Sequence, residues 1–154
     1  MIKKKPLDAA LRLIKIRPRS ILEIQQRLAR KKFPTNEIGK TISLLEKEGL
    51  LDDNRFAVLW VESRDNTKLL GVRLLRLELK KFGINENLIE KALESAKSDL
   101  EKIKQILQTK VKNPKDLENP KIKLKIFGFL SRRGFSFSEI HQAIKHFGKP
   151  NDFE

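Results

Sequence analysis

The chain has 154 residues, a formal net charge of +14 and an isoelectric point near 10.1, a balance that suits a polyanion such as nucleic acid or an acidic protein surface. With 39% hydrophobic and 35% charged residues, it can build amphipathic helices with thin cores but not one large interior. The absence of cysteine excludes disulfides, thiolate metal sites and a cysteine nucleophile, and fits a reducing cytoplasm.

In chain order, residues 1–8 (MIKKKPLD) are basic but lead into no continuous apolar stretch, which argues against a secretory signal. Apolar spacings of three and four then predict helices over about 6–16, 20–32 and 36–48. A second set follows at about 53–66, 70–82 and 85–97, and a third at about 99–112, 120–133 and 137–147. The longest apolar run, Phe56 to Val61, is far too short to span a bilayer. A loop with two prolines, Asn113 to Pro120, is the expected flexible point, and 150–154 the expected flexible tail. No alternating strand pattern stands out, so no sheet is expected.

These nine segments repeat with a period of 51 residues. Leu28, Leu79 and Leu130 are equivalent anchors. Four residues earlier stand Ile24, Leu75 and Ile126; five later stand Phe33, Ile84 and Phe135. Further on come Ile38, Ile89 and Ile140, then Ile42, Leu93 and Ile144, then Leu45, Ala96 and Phe147. Independent amphipathic helices would not keep the same turn length and the same apolar turn residue three times. The expected fold is therefore all-α, an elongated array of three tandem three-helix repeats at 1–51, 52–98 and 99–149. Gly83 and Gly134 sit where a left-handed residue would end the second helix, and Lys32 takes that place in the first repeat. Asn36, Asn85 and Ser136 are the expected caps of the third helices, Ser136 with Glu139 having capping-box spacing.

The stretch LLDDNRFAVLWVESRDNTKLLGVRLLRLELKKFGI, from Leu50 to Ile84, resembles the signature of the RecX family. The matching residues include Asp52, Asp53, Arg55, Phe56, Ala57, Trp60, Arg64, Gly71, Arg73, Leu79, Gly83 and Ile84. Upstream, Arg17, Arg19 and Ser20 with Glu23 and Leu28 resemble the family's first-unit pattern. Val72 departs from it, standing where members often carry proline. The resemblance implies tandem three-helix units that bind the RecA filament along its groove and inhibit its ATP turnover and strand exchange. It also implies contact with single-stranded DNA and, as a second candidate, double-stranded DNA. A cytoplasmic monomer without cofactor or metal is expected.

Candidate chemistry is sparse. Asp52 and Asp53 read as a helix cap and a favourable charge at a helix start, since no acidic or histidine cluster accompanies them. His141 and His146 are five apart, not the three or four that would align two ligands. No phosphate loop, dinucleotide fingerprint or nucleophile elbow is present. Trp60 could stack on a base, yet Phe56 and Val61 beside it favour burial. Phe127 and Phe129 flank a regular core position and could lie partly exposed, with packing between units the favoured reading.

The cations are more informative. Residues 1–51 hold 13 basic and 5 acidic residues, 52–102 hold 10 and 10, and 103–154 hold 11 and 5. The outer repeats are thus expected to grip phosphates while the middle one docks on protein. Arg30, Lys31, Lys32, Lys80, Lys81, Arg132 and Arg133 recur at the ends of second helices, where they also complement the helix dipole. Lys121, Lys123 and Lys125 open a helix against the dipole, which points to a ligand. Arg17, Arg19, Arg64, Lys68, Arg73 and Arg76 complete the candidate DNA- or filament-binding set. A different reading takes residues 20–51 as a winged-helix core of a transcription factor, which would require a β-hairpin after Leu51.

Overall fold

In the computed structural model, residues 5–149 are described; residues 1–4 and the tail at 150–154 lie outside them. The described residues form α1 (Pro6–Ile16), α2 (Ile21–Arg30), α3 (Thr35–Lys47), α4 (Asp53–Thr67), α5 (Val72–Lys81) and α6 (Glu86–Leu93). They continue with α7 (Asp99–Lys110), a 3₁₀ turn (Pro114–Glu118), α8 (Pro120–Arg132) and α9 (Phe137–His146). The fold is all-α, three three-helix modules in tandem, with no strand among the described residues. After Leu51 the chain enters α4 directly, so the hairpin wing required by the transcription-factor reading does not form.

The 51-residue period has a structural cause. Fourteen of its eighteen apolar anchors are buried, and Phe33, Leu93, Ala96 and Phe147 are partly so. Leu28, Leu79 and Leu130 are fully enclosed at 0% exposure, and truncating any of them to alanine costs about 2–5 kcal/mol in transfer and cavity terms. Each of these leucines also closes a helix. The amides of Phe33, Ile84 and Phe135 donate to the Leu28, Leu79 and Leu130 carbonyls at 3.4, 3.1 and 3.3 Å. One residue earlier, Lys32, Gly83 and Gly134 lie in the left-handed region (φ 64, 75 and 92°) and donate to Ala29, Lys80 and Ser131 at 2.9, 3.0 and 3.0 Å. This is the Schellman closure, built three times in one register, with a lysine accepting the left-handed cost where two modules use glycine.

Three expectations need correction. Asn36 does not cap α3: the helix starts at Thr35 after Pro34, whose ring holds φ at −60° for entry, so Asn36 falls inside the first turn. Asn85 and Ser136 do cap, accepting from Leu88 N (3.1 Å) and Glu139 N (3.3 Å). The helix expected to reach residue 97 stops at Leu93, because Lys97 N donates to Asp65 Oδ2 (2.9 Å) and Ser98 is already the cap of α7. The segment from Asn113 to Pro120 is a 3₁₀ turn and not an open loop: Asn113 and Asn119 side chains accept amides at 3.0 Å and Leu117 is buried.

Contacts divide the chain into two compact units that do not follow the three modules. One ends at Trp60 and takes in Glu78–Ala92; the other holds Val61–Leu77 and continues from Leu93. Within the first, Ala10, Ile24, Leu28, Ile38 and Leu45 form the module-one core, and Phe56, Trp60 and Phe82 form an aromatic cluster with centroids 4.6–5.8 Å apart. Within the second, Ile103, Leu107, Leu130, Phe135 and Ile140 form the module-three core.

A recurring clasp joins successive modules inside each unit. Ile21 N, at the start of α2, donates to Asp53 Oδ1 at 2.9 Å. Val72 N, at the start of α5, donates to Asp99 Oδ1 at 3.1 Å. The departure at Val72 is thereby explained, since proline there would lack the donated N–H. Asp52, for its part, caps α4 through the Asn54 and Arg55 amides at 3.0 and 3.2 Å.

Candidate nucleic-acid interface

The predicted cations have different fates. Arg19 is buried: its Nε donates to the Leu13 carbonyl at 3.2 Å and its guanidinium faces Glu23 at 3.6 Å. Burial, then the nearby Arg17 charge, lowers its pKa. It is a structural residue of module one and leaves the candidate contact set. Arg17 is paired with Glu23 and lies 6.0 Å from the Phe82 ring centre. Arg133 donates to the Lys68 carbonyl and packs 4.7 Å from the Phe129 centroid, so it too has structural work. Arg64, Arg76 and Lys123 are half-buried. Arg30, Lys31, Lys32, Lys68, Arg73, Lys80, Lys81, Lys121, Lys125 and Arg132 are exposed.

The signature residues are largely structural. Phe56, Ala57, Leu79 and Ile84 are buried, and Arg55 is exposed. Trp60 is half-buried, and its indole N–H donates to Glu78 Oε2 at 2.8 Å, which favours packing over base stacking. Gly71 donates its amide to the Arg133 carbonyl at 2.8 Å, and a Cβ there would overlap the Gly134 backbone. His141 and His146 are exposed, His141 stacking on the exposed Phe137 ring at 6.0 Å.

Some of the exposed cations line two depressions, one in each unit. In the first, Arg27 and Arg30 of α2 meet Lys81 and Phe82 at the end of α5 around a cleft of about 210 Å³, with Glu23 in its wall. In the second, α8 and the end of α7 border an open, shallow groove of about 440 Å³ lined by Lys110, Leu124, Lys125, Ile126, Gly128, Phe129 and Arg132. No carboxylate lines this groove among the described residues, and the sequence contains none between Glu118 and Glu139. Lys110 Nζ lies 4.1 Å from the Phe129 centroid, a cation–π contact.

Sequence reasoning missed Lys110, Gly128 and Phe129 as one group. A signal existed: glycine inside an amphipathic helix costs about 1 kcal/mol relative to alanine, so Gly128 asks for a reason. A Cβ at Gly128 would stand 3.2 Å from Arg132 Nη1, a close approach that the end of this exposed side chain can relieve by a small shift; with glycine the guanidinium lies back against the helix unhindered. Also missed was Lys102, 0% exposed, whose ammonium donates to the Leu70 carbonyl (2.8 Å) and faces Asp65 (3.1 Å) and Asp99 (3.7 Å). It holds the α4–α5 turn in place, and nothing local in the sequence separates it from a surface lysine.

Asp53 and Asp99 share an electrostatic trait. Burial raises the pKa of each above the ordinary aspartate value, against the lowering effect of the Ile21 and Val72 amides. Glu139 is raised in the same way, by burial and then by Asp99.

Comparison with known proteins agrees with the three-module architecture. Family models of the first, second and third three-helix domains of RecX match residues 7–45, 52–93 and 97–144. The chain is 35% identical over 143 residues to the regulatory protein RecX of Chlorobium phaeobacteroides, covering 92% of each. It is 34% identical over 141 residues to that of Thermotoga maritima, covering 92% of this chain and 83% of the relative. Among solved structures, RecX from Lactobacillus salivarius superposes with a TM-score of 0.76 at 25% identity, covering 91% of this chain and 92% of that one. No helix among the described residues is long and apolar enough to cross a membrane.

Proposed function

The chain belongs to the RecX family of regulatory proteins, and from that premise we propose that it binds a RecA–DNA filament along its groove and lowers ATP turnover and strand exchange. Accessory contact with DNA phosphates accompanies the protein–protein contact, and the chain acts as a monomer. The supporting observation is the register of the free cations. Arg30, Lys81 and Arg132 occupy equivalent positions 51 residues apart, at the exposed ends of the second helices. A cation presented once per module suits a target that itself repeats, as a helical filament does. The charge distribution divides the labour: the cation-rich outer modules meet phosphates or acidic edges, and the balanced middle module docks on protein.

The test is single-strand-dependent ATP turnover by RecA. Substoichiometric amounts of the protein should reduce it, because each bound copy affects a filament segment, and the Arg30→Ala, Lys81→Ala, Arg132→Ala triple variant should need a several-fold higher concentration. Unchanged turnover together with tight binding to one defined duplex sequence would overturn the proposal.

A further inference from the structure

The acid-free groove of module three combines two features that a phosphate patch does not need together. Its rim is cationic, with Lys125 and Arg132 on α8 and Lys110 at the end of α7. Its floor is apolar: Leu124 is 74% exposed and Phe129 is half-buried. An exposed leucine between lysines gains nothing from solvent, and the like charges of Lys121 and Lys125, one helical turn apart, repel each other in the absence of an anion. Phe129 is a fixed platform, since Lys110 and Arg133 both pack on its ring at 4.1 and 4.7 Å and Arg133 is tied to the Lys68 carbonyl. Gly128 keeps the helix surface bare beside that platform and leaves room for the Arg132 guanidinium.

From this arrangement we infer that the groove is a subsite for single-stranded nucleic acid, with phosphates at Lys125 and Arg132 and an unstacked base against Leu124 and the Phe129 edge. The inference rests on the accessory DNA contact proposed above and assigns it a place and a strand preference. A duplex keeps its bases stacked inside and can use only the rim, whereas a single strand uses rim and floor together.

The experiment measures fluorescence anisotropy of labelled oligothymidylate, and of a duplex of equal length, across a salt titration. Leu124→Ser and Gly128→Ala are the informative variants, because position 124 is exposed and alanine favours the helix at 128, so neither should unfold the chain. Each is expected to weaken oligothymidylate binding about three- to tenfold while duplex binding changes less than twofold. The Lys125→Ala, Arg132→Ala double variant should reduce the single-strand salt slope by about 1.4, at about 0.7 per phosphate contact. Wild-type affinity in both Leu124→Ser and Gly128→Ala would remove the subsite, as would equal losses for single strand and duplex. Polyglutamate displacing oligothymidylate as well as unlabelled oligothymidylate does would show that the floor contributes nothing, and would also overturn the assignment. Failure of the unaltered chain to bind any DNA at low salt would sink the accessory-DNA reading itself, while groove variants that bind normally sink only the subsite.

Discussion

Asp53 and Asp99 open the leading helices of successive modules and accept the first amide of the preceding module's second helix, at 2.9 and 3.1 Å. Three residues further along each leading helix the solutions part. In the first compact unit the position holds Phe56, buried against Trp60 and Phe82. In the second it holds Lys102, buried against Asp65, Asp99 and the Leu70 carbonyl. One backbone arrangement is thus closed by aromatic packing in one place and by a buried ion cluster in the other. The two differ in what removal of the central residue leaves behind. Without Phe56 there would be a cavity; without Lys102, two carboxylates short of their counter-charge.

The largest effects test that distinction. Lys102→Ala should destabilise the protein by about 3–5 kcal/mol, since breaking a buried pair strands the remaining charges, and Phe56→Ala should cost about 3–5 kcal/mol through lost packing. Both are read from denaturant midpoints. The mechanisms separate on adding Asp65→Asn: it should return part of the loss in the Lys102→Ala background and none in the Phe56→Ala background. Equal behaviour in both would dissolve the comparison.

A smaller effect isolates the shared clasp. Asp53→Ala should cost about 1 kcal/mol, the usual range for a lost capping acceptor, whereas Asp53→Asn keeps an oxygen for Ile21 N and should cost less. A loss as large in Asp53→Asn as in Asp53→Ala would assign the effect to charge and not to the hydrogen bond.

The smallest effect concerns pH. Because burial raises the Asp53 and Asp99 pKa values in the folded state, the folded chain binds more protons than the unfolded one between those values and the ordinary aspartate value of about 3.9. Stability contributed by these two groups therefore rises as pH falls through that window, and is lowest at neutrality. Thermal melts from pH 7 downward should show a shallower rise in Asp53→Asn than in the unaltered chain; an identical profile would mean that Asp53 does not titrate there.

Much of the module was legible because its determinants are local. The buried anchors, the left-handed residues at Gly83 and Gly134, and the Asn85 and Ser136 caps follow from spacing within one or two helical turns. The misses have longer range. The end of α6 at Leu93 depends on Asp65, 32 residues from Lys97, and the ordered turn after α7 depends on Leu117 finding the module-three core. For the candidate site, composition located the cation-rich modules, and the lysines opening α8 stood out because they oppose its dipole. Arg19 and Arg133 could not be told from free cations, since the Leu13 and Lys68 carbonyls that engage them lie six and 65 residues away.

An all-helical module used three times and a strong positive charge follow from the order of amino acids alone, because helical periodicity, turn chemistry and net charge are sums over near neighbours. Which cations are committed and which are free emerges from packing in three dimensions, which also brings Lys110, Lys125, Gly128, Phe129 and Arg132 around one groove. A charged side chain's state depends on desolvation and on partners distant in sequence, and packing alone assigns both.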